Sequence, residues 1–212
     1  MFLSNIYTFT GNYDEANKYL NIAEEKCKKY GVFKGENLEL FLNKKILLSF
    51  FTSNVDNFIE NFKNISNDFK LLNDNNDFLK ILNKVDYKSR EEICLNYLKN
   101  YNTKYSKYVI MLLNCLYMRE VYKDNAPQVM KYLLKEINKA QEFIKHGDNN
   151  SAEQIYLDIL SKNKYMYDVY YKLGFLYLQT NRQVESKNIF NKILEINPND
   201  EQIRKILLGL GN

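Results

Sequence analysis

The chain has no tryptophan, one histidine, two prolines and seven glycines among its 212 residues, and each shortage removes a class of answer. With so few breakers, helical patterns run long. Both prolines fall at helix ends: Ala126-Pro127 suits a first helical turn and Asn197-Pro198 follows a terminus. One histidine cannot build a His/Cys metal cluster, and His146, next to Gly147, reads as a helix-end residue instead of a general base. Cys27, Cys94 and Cys115 are odd in number, widely spaced and set on otherwise apolar faces, so free buried thiols are expected in place of disulfides or zinc ligands. No glycine-rich phosphate loop, serine nucleophile elbow or paired metal motif occurs. Adjacent carboxylates such as Glu24-Glu25 and Glu91-Glu92 splay around a helix and do not converge. No catalytic residue, metal or cofactor is therefore expected.

Long apolar runs and concentrated charge are also missing. The longest apolar stretch, Tyr108 to Met118, is interrupted by Asn114 and is shorter than the roughly 20 residues that cross a bilayer, so it is expected as a central buried helix. No basic region precedes Phe2-Leu3, which argues against a secretory signal, and a cytoplasmic location is expected. Net charge is +4, from 30 basic and 26 acidic residues with the signs interspersed. The densest basic run, Lys26-Cys27-Lys28-Lys29, is diluted by acidic neighbours, so nucleic acid is not expected as a partner. The 30 asparagines read as compositional bias.

What is present is helical periodicity with short punctuation. Leu38, Phe41, Leu42, Ile46, Leu47 and Phe50 predict a helix over 37–51, and Phe58, Ile59, Phe62 and Ile65 another over 55–65. A polar connector, 72–77, precedes shorter helices over 78–85 and 90–98. Helices over 105–121 and 126–144 follow, and His146-Gly147-Asp148-Asn149 stops the latter. Asn150-x-x-Glu153 and Asn12-x-x-Glu15 have capping-box spacing. A final helix over 201–208, ended by Gly209 and Gly211 in the left-handed conformation, offers Ile203, Ile206 and Leu207 as a cap.

Within 167–200, Tyr170, Leu173, Gly174 and Tyr177 share one helical face, Ser186, Phe190 and Ile193 share the facing side of the next helix, and Asn181-Arg182 form the turn. Gly174 in a helix interior costs about 1 kcal/mol relative to Ala, which points to a close approach of two backbones. This set, with Pro198, resembles the tetratricopeptide repeat, a unit of about 34 residues. Tyr170 stands where that family prefers Trp, and Ser186 and Ile193 where it prefers Ala. One period upstream, Ala140, Phe143, Ala152 and Tyr156 mark a looser repeat over 133–166. Gly11 to Ala16, with Leu20 and Ala23, resembles a third over 1–30 that lacks its opening turn.

The resemblance implies an all-α, right-handed superhelical solenoid of antiparallel helix hairpins, of about ten to twelve helices. Irregular hairpins are expected over 1–124, and a regular stack with its capping helix over 125–212. It implies a noncatalytic scaffold that binds a peptide or protein segment on a concave face lined by the first helix of each pair. That places Asp168, Tyr171, Phe175, Leu178 and Gln179 in the groove, with Leu134, Ile137, Gln141, Ile144 and Lys145 one period earlier. Some relatives grip a C-terminal carboxylate with basic and amide side chains, whereas Tyr171 and Phe175 occupy two of those places here. The shortened first repeat raises an alternative, an accessory region of a larger enzyme such as a glycosyltransferase, or of a sensor. A monomer or weak dimer is expected, because the terminal helix covers the last hairpin while Phe2, Leu3 and Ile6 at the N-terminal edge lack comparable cover.

Overall fold

A computed structural model describes residues 2–32, 34, 36–68, 81–82, 84–103 and 105–211. Among these residues the regular structure is helical, with no strand. The helices are α1 (Phe2–Thr10), α2 (Tyr13–Lys29), α3 (Glu36–Phe51), α4 (Val55–Asp68), α5 (Tyr87–Asn100), α6 (Ser106–Tyr122), α7 (Ala126–Lys145), α8 (Asn149–Lys162), α9 (Tyr167–Gln179), α10 (Gln183–Ile196) and α11 (Glu201–Gly209). A 3-10 turn, Lys123–Asn125, joins α6 to α7. The connector expected over 72–77 and half of the helix expected over 78–85 lie outside the described residues.

One turn geometry recurs along the chain. At Gly11, Gly31, Ser53, Gly147 and Asn181 the backbone enters the left-handed region, with φ between 50° and 80°. The amide of the following residue then reaches back to a carbonyl five residues earlier: Asn12 to Tyr7, Val32 to Cys27, Asn54 to Ser49, Asp148 to Phe143 and Arg182 to Tyr177. This satisfies a helix-end carbonyl and turns the chain sharply, so the next helix returns antiparallel to the last. Glycine or asparagine holds four of these places at little steric cost, and Ser53 holds the fifth.

The chain forms two compact units, one of Met1–Arg90 with Met118–Lys131, the other of Glu91–Tyr117 with Tyr132–Asn212. In the first, α1 pairs with α2 and α3 with α4, and α2 packs on α3. Ala16 and Leu20 of α2 are fully buried, as are Phe58 and Ile59 of α4. On α3 the deepest apolar side chains include Leu48 and Phe51, while the expected Leu47 and Phe50 are half-buried. The difference arises because α3 has neighbours on two sides, α2 and α4, so its apolar residues form no single stripe.

In the second unit α8, α9, α10 and α11 pack each on the next, the nearest-neighbour stacking of a helical-repeat solenoid. Ala140, Ala152, Leu173, Phe190, Ile193 and Ile203 are fully buried. The α6 stretch from Tyr108 is a buried helix as expected, and its polar Asn114 is satisfied: it accepts from Asn163 at 3.0 Å and donates to the Tyr165 carbonyl at 3.4 Å. Cys94 and Cys115 are buried thiols outside any disulfide, and burial pushes the Cys115 thiol far up, while Cys27 is only half-buried.

Three local expectations are corrected. Asp148, not Asn150, caps α8, accepting from the Ser151 amide at 3.1 Å, because the turn at Gly147 starts the helix two residues early. Asn12 makes no side-chain cap, and Glu15 pairs with Lys18 at 3.2 Å on the helix surface. Gly209 remains in α11, and only Gly211 takes positive φ.

Candidate protein-binding surface

Gly174 is the contact on which the last hairpin is built. A Cβ placed there would lie 2.4 Å from Phe190 Cε1, so the ring of α10 occupies the space a side chain on α9 would need. The close approach expected between two backbones is thus an approach of a ring to a backbone. Ser186 Oγ donates to the Gly174 carbonyl at 2.9 Å and ties the same two helices together. An alanine at position 186, as the resembled pattern has it, would lack that donor, so the serine adds a bond between the two helices.

A polar joint connects α8 to this hairpin. Glu153 accepts from the two terminal guanidinium nitrogens of Arg182, at 2.5 and 3.1 Å, and from the hydroxyl of Tyr177 at 2.9 Å. Arg182 also lies over the Tyr177 ring, 4.3 Å from its centroid, and donates to Glu185 at 2.9 Å. The Arg182 bond holds the Glu153 carboxyl below the usual carboxylate range, against the opposing effect of burial. Burial, reinforced by the Glu153 bond, pushes the Tyr177 phenol up to about 12.

The exposed edge of α9 carries a ladder of rings. Tyr167 and Tyr171 have centroids 5.5 Å apart, Tyr171 and Phe175 stack at 6.4 Å with 24° between planes, and Phe175 meets Phe190 edge-on at 5.5 Å. Tyr167 and Tyr171 both donate to Asp200 Oδ2, at 2.6 and 2.5 Å. The other Asp200 oxygen accepts the Ile203 amide at 3.0 Å and caps α11. Burial first, and the Asp200 bond second, push both phenols far up, so they remain donors at every ordinary pH.

The expected groove residues separate into two sets by burial. On α9, Phe175 is 38% exposed, Asp168 and Gln179 are exposed, and Tyr171 and Leu178 are half-buried against Phe190, Ile193 and Ile203. On α7, Ile137 is buried, Leu134, Gln141 and Ile144 are half-buried, and Lys145 is exposed and paired with Glu142 at 2.6 Å. Asp200 and Glu153 were missed as organising residues. For Asp200 a signal existed, an acidic side chain just before an amphipathic helix, whereas the partners of Glu153 lie 24 and 29 residues away.

Among the described residues no group of three His, Cys, Asp or Glu side chains could hold a metal ion, and no helix is long and apolar enough to cross a membrane. Paired antiparallel helices stacked on their neighbours define a helical-repeat scaffold. Residues 143–208 match the family model of the tetratricopeptide repeat, so this segment, from the end of α7 into α11, is tetratricopeptide-like. No curated protein and no solved structure matches the chain.

Proposed function

We propose that the chain is a noncatalytic scaffold that holds a peptide or protein segment in the cytoplasm, presented by the regular stack of 125–212 and needing no cofactor. The observation that supports this is Phe175, a large aromatic left 38% exposed on a helix whose other apolar residues are packed away. It stacks on Tyr171 and is flanked by exposed Asp168 and Gln179, an aromatic anchor with polar edges. Such anchors carry much of the free energy at protein interfaces. Leu134, Gln141, Ile144 and Lys145 extend the same reading to α7. The test is capture of the partner from native cells, followed by affinity measurement with Phe175→Ala, which removes the half-open ring and leaves the buried core residues in place, and with Tyr171→Phe, which keeps the stacked ring. Weakened capture by Phe175→Ala with unchanged helical content is expected, and unchanged affinity overturns the assignment of this face.

A second reading, an accessory region of a larger enzyme or of a sensor, is favoured by α1, where Phe2 is 77% exposed and Leu3 and Ile6 are each 43% exposed. Those side chains form an apolar face suited to a preceding domain. Sequencing the reading frame upstream of Met1 tests it, and an immediate in-frame stop overturns it.

A further inference from the structure

The first unit holds a cleft of about 770 Å³ between α2, α3 and α4. Its floor is apolar and buried, formed by Phe41, Leu42 and Leu48 of α3. One wall is a row of amides on α4: Asn54, Asn57, Asn61 and Asn64, spaced three or four residues apart and so on one helical face. Val55, Phe58, Ile59 and Phe62 take the buried positions of that helix, so the amides are sorted to the cleft side and not scattered as compositional bias alone would leave them. Asn17 of α2 faces into the same cleft.

Much of this amide chemistry is unused. Among the described residues the side chains of Asn17, Asn57 and Asn64 make no hydrogen bond, and Asn61 uses only its NH₂, donating to the Asn57 carbonyl at 2.7 Å. Asn54 caps α4, accepting from the Asn57 amide at 3.1 Å. The charge is also one-sided. Three carboxylates, Asp14, Glu24 and Glu60, line the cleft against one ammonium, Lys45, and Glu24 is shared between Lys45 at 3.0 Å and Lys28 at 2.6 Å. Asp14 and Glu60 have no ion pair among the described residues. A chain with net charge +4 thus encloses a cleft with two unneutralised carboxylates.

We propose that this cleft binds an extended peptide segment in which lysine or arginine alternates with aliphatic residues. The proposal rests on the reading of the chain as a peptide-binding scaffold and assigns a second site to it. An asparagine amide offers both a donor and an acceptor, the complement of a peptide unit whose C=O and N–H are free. Only an extended backbone has such free groups, since a helix has already paired its own. From Asn54 to Asn64 the row spans about 15 Å, the length of about four or five residues of extended chain. Alternate side chains of such a segment point to opposite sides, so aliphatic residues lie over half-buried Leu38 and the stem of Lys45, whose ammonium covers the Phe41 ring at 4.9 Å, while basic ones reach the walls at Asp14 and Glu60.

The test is selection from a randomised library of peptides about eight residues long, displayed against the full chain and counter-screened on an Asn57→Ala, Asn61→Ala, Asn64→Ala variant. Those substitutions raise helix propensity, and circular dichroism checks that the variant folds. Enrichment of basic-aliphatic sequences is expected, with affinity falling about tenfold or more in the triple variant. Glu60→Lys, a surface change, is expected to weaken the same peptides and keeps the test decisive if the triple variant misfolds. Enrichment of acidic sequences, equal binding to both variants, or no enrichment over the triple variant overturns the proposal. Peptides that lose affinity for Phe175→Ala but not for the triple variant are assigned to the α9 surface, so failure here and failure of that surface are read separately.

Discussion

Tyr171 donates a hydrogen bond from its phenol to Asp200, and in doing so the expected groove anchor of α9 becomes a tie to the capping helix α11. Tyr167 shares the same oxygen, and Asn197 donates to the Tyr167 hydroxyl at 3.4 Å. One carboxylate therefore collects two rings and a helix N-terminus. Asp200→Ala is expected to lower stability by about 2–3 kcal/mol, the sum of a lost N-cap and of charged hydrogen bonds to half-buried phenols. Tyr171→Phe keeps the stacked ring and is expected to cost about 1 kcal/mol. Denaturant titration of both variants checks the ranking, and an equal loss in the two would show that Asp200 acts through Tyr171 alone.

Gly174→Leu is expected to lower stability by about 1–3 kcal/mol even though leucine is the better helix former. The reason is Phe190, whose ring lies 2.4 Å from where the new Cβ would be. Combining Gly174→Ala with Phe190→Leu vacates the ring position and is expected to recover part of the loss. A double variant no more stable than Gly174→Ala alone would remove Phe190 as the cause.

Ser53 ends α3 at φ 50°, is buried, and has a hydroxyl with no hydrogen-bond partner among the described residues. Ser53→Gly removes both the left-handed strain and the unsatisfied group, against the entropy that glycine gains in the unfolded chain. A net gain of about 1 kcal/mol is expected. Thermal unfolding is a sufficient readout, and a lower midpoint would contradict it.

The joint at Glu153 makes the second unit acid-sensitive. Its carboxyl is held below the ordinary value of 4.5 in the folded chain, chiefly by the Arg182 bond. A depressed folded value means the stabilisation is full above pH 4.5 and is lost as pH falls through the lower folded value. Glu153→Gln is expected to be less stable than the parent near neutral pH and to show a flatter stability profile below pH 4.5. Parallel profiles for the two proteins would place the acid sensitivity elsewhere.

Self-association is expected to be weak and to run through α1, where Phe2, Leu3 and Ile6 are exposed. Phe2→Ser with Ile6→Ser is expected to hold the chain monomeric at concentrations where the parent begins to dimerise. Light scattering across a concentration series reads this directly, and a tight, salt-insensitive tetramer in the parent would contradict it.

The helices, their turns and the last repeat were legible in the sequence because each depends on near neighbours. A 3.6-residue period places Leu173, Gly174 and Tyr177 relative to one another, and Gly11, Gly147 and Asn181 mark turns through the left-handed backbone they allow. The fully buried Ala140, Ala152 and Phe190 followed from the same periodicity carried over one repeat. Other features depended on which helix came to lie beside which. Tyr171 and Leu178 share a helical face with Phe175, yet the capping helix draws the first two inward and leaves the third half open. Glu153 has capping-box spacing, but an arginine 29 residues away offers a bidentate partner, and a charged pair outweighs a local bond to one amide. The asparagines of α4 are indistinguishable by type from the others in the chain, and only the packing of both α2 and α4 on α3 gathers them along one cleft. Local periodicity decided where helices begin, end and bury a stripe; partner choice among side chains distant in sequence waited for the fold, because it depends on distances that no spacing along the chain encodes.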